Sequence, residues 1–299
     1  MVWTFERLAG PIGDITEGPA WDGSGLLFTD ISNDQIMRYD PQTGAYRVFR
    51  SGTNGANGLM LDSQGRLYAC EGKGAGRRVV RYEPDGSVTV LVDQFEGKRL
   101  NSPNDLAIDT RGRVWFTDPG YGLKDEDREL DHDSVYRLTP PATGSGPWSI
   151  ERVTFDTTKP NGLLISADEG TLYVAQSDHG DTALRELRAY PIRADGSLGA
   201  FRVLHPFGLH RGIDGMCLDT EGNIVAATGY RRGGPGPAIM VFAPDGRVLE
   251  RHPFPEDRPT NCTFGDSDLQ TLYITNIGGS LYRARTDRRG RHWWPRAGE

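Results

Sequence analysis

Asn57-Gly-Leu-Met-Leu-Asp-Ser-Gln-Gly-Arg-Leu-Tyr68 reads as an amide, a glycine, an apolar strand, a polar turn closed by glycine, and the start of a second strand. That order recurs along the chain. The β-rich run after the turn reappears as Leu26-Leu-Phe28, Arg66-Leu-Tyr68, Val114-Trp-Phe116, Thr171-Leu-Tyr173, Asn223-Ile-Val225 and Thr271-Leu-Tyr273, spaced by 40, 48, 57, 52 and 48 residues. A further strand pattern follows and ends in a turn, as at residues 36–39 before Pro41, 79–82 before Pro84-Asp-Gly86 and 239–242 before Pro244-Asp-Gly246. Units of this length with about four short strands each are the mark of radial repetition. A sandwich needs only about seven strands in ~100 residues, whereas these units fill the whole chain. The sequence therefore predicts an all-β, six-bladed β-propeller, with residues 1–299 forming a single domain. The sixth copy ends near Arg285, one strand short. The unused segment 2–8 can supply that strand and close the ring, removing an exposed sheet edge.

Composition agrees with many tight turns. The 299 residues include 39 glycines and 19 prolines, against roughly 7% and 5% in average proteins. A net charge of −7 offers no basic excess to meet nucleic-acid phosphate, and no apolar run of about 18 residues is present to span a bilayer. The first residues lack the layout of a secretory signal. Cys70, Cys217 and Cys262 are widely spaced with no C-x-x-C pair, which points to a reduced, cytoplasmic setting rather than a disulfide framework. Two irregular stretches, 120–133 and 230–237, read as surface loops.

Eleven or twelve residues before the third residue of each run stands a lead residue: Glu17, Asn57, Asn104, Asn161, Asp214 and Asn261. The first strand of each propeller blade lines the central channel, so these six ring its entrance. Asn and Asp also cap turns, but glutamate is a poor turn residue and the position repeats. Two carboxylates converging in a channel repel unless a cation compensates them. Carboxylate and amide oxygens are hard ligands, suited to Ca²⁺, Mg²⁺ or Mn²⁺. The six histidines show no H-E-x-x-H spacing, no G-x-S-x-G elbow occurs, and Gly72-Lys-Gly-Ala-Gly76 lacks P-loop order and reads as a flexible turn. Cys217 and Cys262 fall in apolar strands and read as inert buried thiols.

At Glu17-Gly-Pro-Ala-Trp21, Arg99-Leu-Asn-Ser-Pro-Asn-Asp105, Trp115-Phe-Thr-Asp-Pro-Gly-Tyr-Gly122, Lys159-Pro-Asn-Gly162 and Gly212-Ile-Asp-Gly215, the chain resembles the senescence marker protein, gluconolactonase and luciferin-regenerating-enzyme family. The resemblance covers nearly the whole chain, and the Arg99 and Trp115 motifs are most similar to its bacterial gluconolactonase branch. It implies a six-bladed propeller with one divalent cation at the channel mouth, Ca²⁺ foremost, with Mg²⁺, Mn²⁺, Zn²⁺ and Fe²⁺ as alternatives. By position, it makes Glu17, Asn161 and Asp214 metal ligands and Asn104 a metal or substrate amide. It also places Arg99 and Asn101 against substrate hydroxyls, with Tyr121 facing the same pocket. Asn57 and Asn261 come from the repeat alone, as groups behind the ligands.

The implied activity is hydrolysis of a gluconolactone-like sugar lactone, with the cation polarising the carbonyl and Asp214 as ligand and base. The alternatives are an organophosphate hydrolase resembling diisopropyl fluorophosphatase and a non-catalytic calcium-binding propeller. Arg99 and Asn101 favour the lactone, because a polyol needs hydrogen-bond partners. The implied partner is a small-molecule lactone, with no nucleic acid and no membrane.

Overall fold

The turns that punctuate the repeat are built by one side chain each. Asp62 Oδ1 accepts the N–H groups of Gln64 and Arg66, Asp109 Oδ1 those of Arg111 and Arg113, and Asp219 Oδ1 those of Glu221 and Asn223. An aspartate at the end of the inner strand thus satisfies the N–H groups of the turn and starts the next strand. The run after it is buried along its length, as in Leu26–Asp30 and Val114–Asp118, because both its faces meet neighbouring blades.

In the computed structural model, which describes residues 2–144, 146–178 and 185–292, these strands form six four-stranded antiparallel sheets. The inner strands are Thr16–Trp21, Ala56–Leu61, Leu106–Ile108, Pro160–Ile165, Ile213–Leu218 and Pro259–Gly265. In the first five sheets the strands follow in chain order from the axis outward. The sixth runs Pro259–Gly265, Thr271–Asn276, Leu281–Arg285 and then Phe5–Ala9. The N-terminal strand therefore closes the ring, pairing Phe5 with Ala284 and Glu6 with Arg283. Apolar cores lie between successive blades. The largest joins the last blades to the first through Phe28, Tyr273 and Phe264. Among the described residues no helix is long and apolar enough to cross a membrane.

One reading changes. Residues 230–237 are not a loop: strands Ile224–Tyr230 and Gly233–Phe242 pair through Tyr230 and Gly233, leaving a tight hairpin at Arg231 and Arg232. The chain also continues past its last strand. Gly290 bridges to Asp219, Arg291 N–H donates to Leu218 O, and His292 meets Phe264 O, so this segment lies against the far ends of two inner strands.

The closing strand is held by a clasp. Trp3 stacks on His252 at 3.9 Å, and its backbone N–H donates to Nδ1 at 3.1 Å. With Nδ1 accepting, the ring proton sits on Nε2, facing Glu250 at 2.8 Å. Burial pushes the His252 pKa down, opposed by Glu250. A histidine kept neutral in the folded state contributes stability above its unfolded pKa of about 6.5, and that contribution is lost as pH falls through this value. Other buried groups titrate in the same range, so the clasp shows in a comparison: from pH 8 to pH 5 the melting temperature of the parent should fall relative to that of His252→Asn, which can still accept from Trp3 but does not titrate.

Candidate functional site

The lead residues converge because their strands are bulged beside them. The inner strands slip register between Glu17 and Ala20, Ala56 and Leu59, Pro160 and Leu163, Ile213 and Met216, and Pro259 and Cys262. A bulge re-aims a side chain out of the alternating pattern. The glycine after the lead residue makes the ring tight. A Cβ on Gly18, whose φ is +50°, would lie 2.1 Å from Asn57 O, and one on Gly215 would lie 2.0 Å from Asn261 Cγ. Gly58 and Gly162 hold the same place against Asp105 and Asp214. Blades 3 and 6 carry Asp105 and Cys262 there instead.

A cavity of about 360 Å³ opens at this end of the channel. Glu17, Asn57, Asn104, Asn161, Asp214 and Tyr121 all line it. Asn261 does not. It lies on the channel side, where Nδ2 donates to Glu17 Oε2 at 3.2 Å and Oδ1 accepts its neighbour's N–H. Gly18 N–H donates to the same Glu17 oxygen at 2.8 Å, so two donors fix that carboxylate. Tyr121 O–H points to Ser177 O at 3.4 Å and also bonds Asn161.

Charge is concentrated on this ring. Burial pushes the Glu17 carboxyl well above the usual carboxylate range, and repulsion from Asp214 and Asp105 adds to it. Asp105 is pushed up to about 7, mainly by burial and partly by Asp214. Burial also raises the Tyr121 hydroxyl, again with Asp214 contributing. Arg211 counters Asp214 directly, Nη2 to Oδ2, while Nη1 is held by Gly229 O and Pro259 O. That leaves Glu17 and Asp105 without a cation of their own at hydrogen-bond distance among the interactions described here. The donor set suits a hard divalent ion. Among the described residues no three His, Cys, Asp or Glu side chains gather into a metal-holding group, so amide oxygens would have to complete a shell.

Arg99 and Asn101, expected against substrate, do not line the cavity. Arg99 lies in a two-stranded ribbon, Gln94–Phe95 with Lys98–Arg99, which directs it outward. Its N–H donates to Glu129 and its guanidinium to Gly74 O. Asn101 is fully buried, donating to His132 O at 3.2 Å and Asp133 Oδ1 at 3.1 Å. Both fasten the loops that carry Tyr121 and Lys73, which do line the cavity. Asp105 and Arg211 were not singled out from the sequence. The signal for Asp105 was its place where other units carry glycine.

Two stability outcomes follow. Asn101→Ala leaves buried partners unsatisfied at a cost of about 1–3 kcal/mol, so its melting temperature should fall. Arg99→Ala, at a partly exposed site, should melt within about a degree of the parent, since such substitutions stay within ±0.5 kcal/mol. Gly215→Ala forces the Asn261 amide to move and should cost about 1–3 kcal/mol by denaturant titration.

With this geometry in view, comparison with known proteins gives a consistent result. Residues 15–278 match the SMP-30/Gluconolactonase/LRE-like region. The chain is 30% identical over 298 residues to a gluconolactonase from Zymomonas mobilis, covering 91% of this chain and 78% of that one. It is 29% identical to a pentonolactonase from Haloferax volcanii, covering 92% and 86% respectively. The solved structure of a gluconolactonase from Xanthomonas campestris superposes with a TM-score of 0.79 at 34% identity, covering 95% of this chain and 89% of the other.

Proposed function

The chain belongs to the SMP-30/gluconolactonase/LRE-like family, and on that premise we propose that it is a lactonase that opens a sugar lactone to its aldonic acid. The observation that carries this reading is the convergence of Glu17, Asn104, Asn161 and Asp214 on one cavity at the channel mouth. Lactonases among its relatives give the substrate class. We further propose that the reaction depends on one divalent cation, with Ca²⁺ as first choice, held by Glu17, Asn161 and Asp214 with Asn104 beside them. When bound, the ion supplies Lewis acidity and offsets the carboxylate charge.

The chain's own groups divide the remaining work. Hydrolysis adds water across the acyl–oxygen bond: a C–O bond forms to the carbonyl carbon, the ring C–O bond breaks, and the ring oxygen leaves as a hydroxyl. Asp214 takes the water proton at its carboxylate, with Arg211 holding Oδ2 and fixing the rotamer. A carboxylate paired with arginine is a weak base, so its placement matters more than its strength. The Tyr121 hydroxyl, anchored near Asn161 and Ser177, faces the substrate. Asn57 lies on the cavity wall, and Asn261 holds Glu17 from behind. The six blades are read as one domain, since the cavity draws residues from all six of them. Three cysteines that form no disulfide fit a cytoplasmic setting.

Acid release from glucono-1,5-lactone, followed with a pH indicator above the spontaneous rate, tests this reading. Turnover should vanish with chelator and return with one cation among Ca²⁺, Mg²⁺, Mn²⁺, Zn²⁺ and Fe²⁺. Asp214→Asn should lower kcat/KM by about a hundredfold or more. Asn261→Ala should weaken cation binding about tenfold by calorimetry, as loss of a group orienting a ligand does. Cation binding with no hydrolysis of any lactone would leave a binding propeller in place of the enzyme.

A further inference from the structure

The cavity has two unlike walls. On the side of blades 2 to 4 it presents Asn57, Ser102, Asn104, Tyr121, Asn161 and Ser177. On the side where blades 6 and 1 meet it presents Ile15, Ile31 and Ile277. These three are contiguous: Ile15 and Ile277 face each other across a β-bridge, and Ile31 N–H donates to Ile15 O at 3.2 Å. Each is only partly buried. None takes part in the apolar clusters between blades, among the described residues. Their hydrocarbon is thus turned to the cavity rather than to a core. Ile15 stands two residues before Glu17 on the same strand approach, hence on the same side and one pleat closer to the mouth. A sugar hydroxyl placed against this hydrocarbon would lose water, and the Lys73 ammonium beside it is already held by Ile31 O at 3.1 Å.

We infer that this site takes lactones bearing a hydrocarbon substituent on a ring carbon remote from the carbonyl. The alkyl arm lies on the Ile15, Ile31 and Ile277 wall while the ester faces Glu17, Asn161 and Asp214. The inference rests on the lactonase reading of the same cavity and adds alkyl-bearing lactones to its substrate class. The chemistry is unchanged: water adds at the carbonyl, the ring acyl–oxygen bond breaks, and a hydroxy acid with its alkyl arm leaves.

The test is a series of δ-lactones carrying hydrogen, methyl, propyl or pentyl at the ring carbon that bears the ester oxygen, assayed beside glucono-1,5-lactone. kcat/KM should rise roughly fourfold per methylene over the first three carbons, the gain for moving a CH₂ from water to an apolar surface. Ile31→Asn and Ile277→Asn should each reduce the ratio of the propyl to the unsubstituted lactone by about tenfold. A flat series from an enzyme that turns over glucono-1,5-lactone overturns the inference and leaves the lactonase reading intact. In that case the isoleucines touch only the C–H face of a sugar ring. No hydrolysis of any lactone by folded, cation-supplemented protein overturns both. The parent series decides the matter even if a variant fails to fold.

Discussion

At Gly18, Gly58, Gly162 and Gly215, four of the six places beside a lead residue at the channel mouth, there is no room for a side chain. Gly18 lies against Asn57 and Gly215 against Asn261, each at a distance that a Cβ would violate. This close approach sets the ring diameter, and with it the separation of the oxygens that face the cavity. It also explains why the bulges fall where they do. An inner strand that kept strict alternation would turn every second residue into the neighbouring blade. The slip after the lead residue instead lets one polar side chain face the axis while the strand below continues to pack apolar residues between blades. Ring closure by the N-terminal strand then gives the last blade its fourth strand and ties it to the first, which holds the ring of inner strands together.

The same tightness has an electrostatic cost. Asp214 raises the protonation of Glu17 and Asp105, Asp105 adds to that of Glu17, and burial acts on both more strongly than this repulsion. The Arg211 guanidinium is bonded to Asp214, and among the described residues no guanidinium is bonded to Glu17 or Asp105. Two donors on Glu17 Oε2 are a smaller compensation than an ion pair. A ring so built is more stable either with a proton shared among its carboxylates or with a cation between them. The amides of Asn104 and Asn161 can serve the second case without adding charge.

Much of this was legible in the sequence, for local reasons. The aspartate turns and the buried runs after them are set by neighbours a few residues away, so the repeat and the blade count could be read directly. The lead residues were readable because they occupy one phase of that repeat. Asp105 was hidden by its own context, since Asn-Asp before a strand reads as turn chemistry, and only the glycine of the other units shows that its slot faces the axis. Arg99 and Asn101 were read from their motif alone, whereas a two-stranded ribbon and a buried hydrogen-bond set, neither visible in the sequence, decide where they lie. The isoleucine wall could not be read at all. Its members come from positions 15, 31 and 277, and only closure of the ring brings the first and last together.

The cavity therefore separates two tasks by height along the strands. At the level of the lead residues, identity is constrained by glycine contacts and bulges, and a change there disturbs the whole ring. One pleat nearer the mouth, at Ile15, or on the connecting turns that carry Ile31 and Lys73, side chains line the cavity and its rim. Lys73 illustrates the freedom of that level, since its ammonium reaches across to Ile31 O without entering the ring of oxygens. Substitution at this upper level can alter which substituent a bound ring carries without moving the groups that face its ester. Selectivity and chemistry are thus decoupled by the packing itself: a rigid floor set by backbone contacts, beneath walls whose polarity each sequence is free to choose.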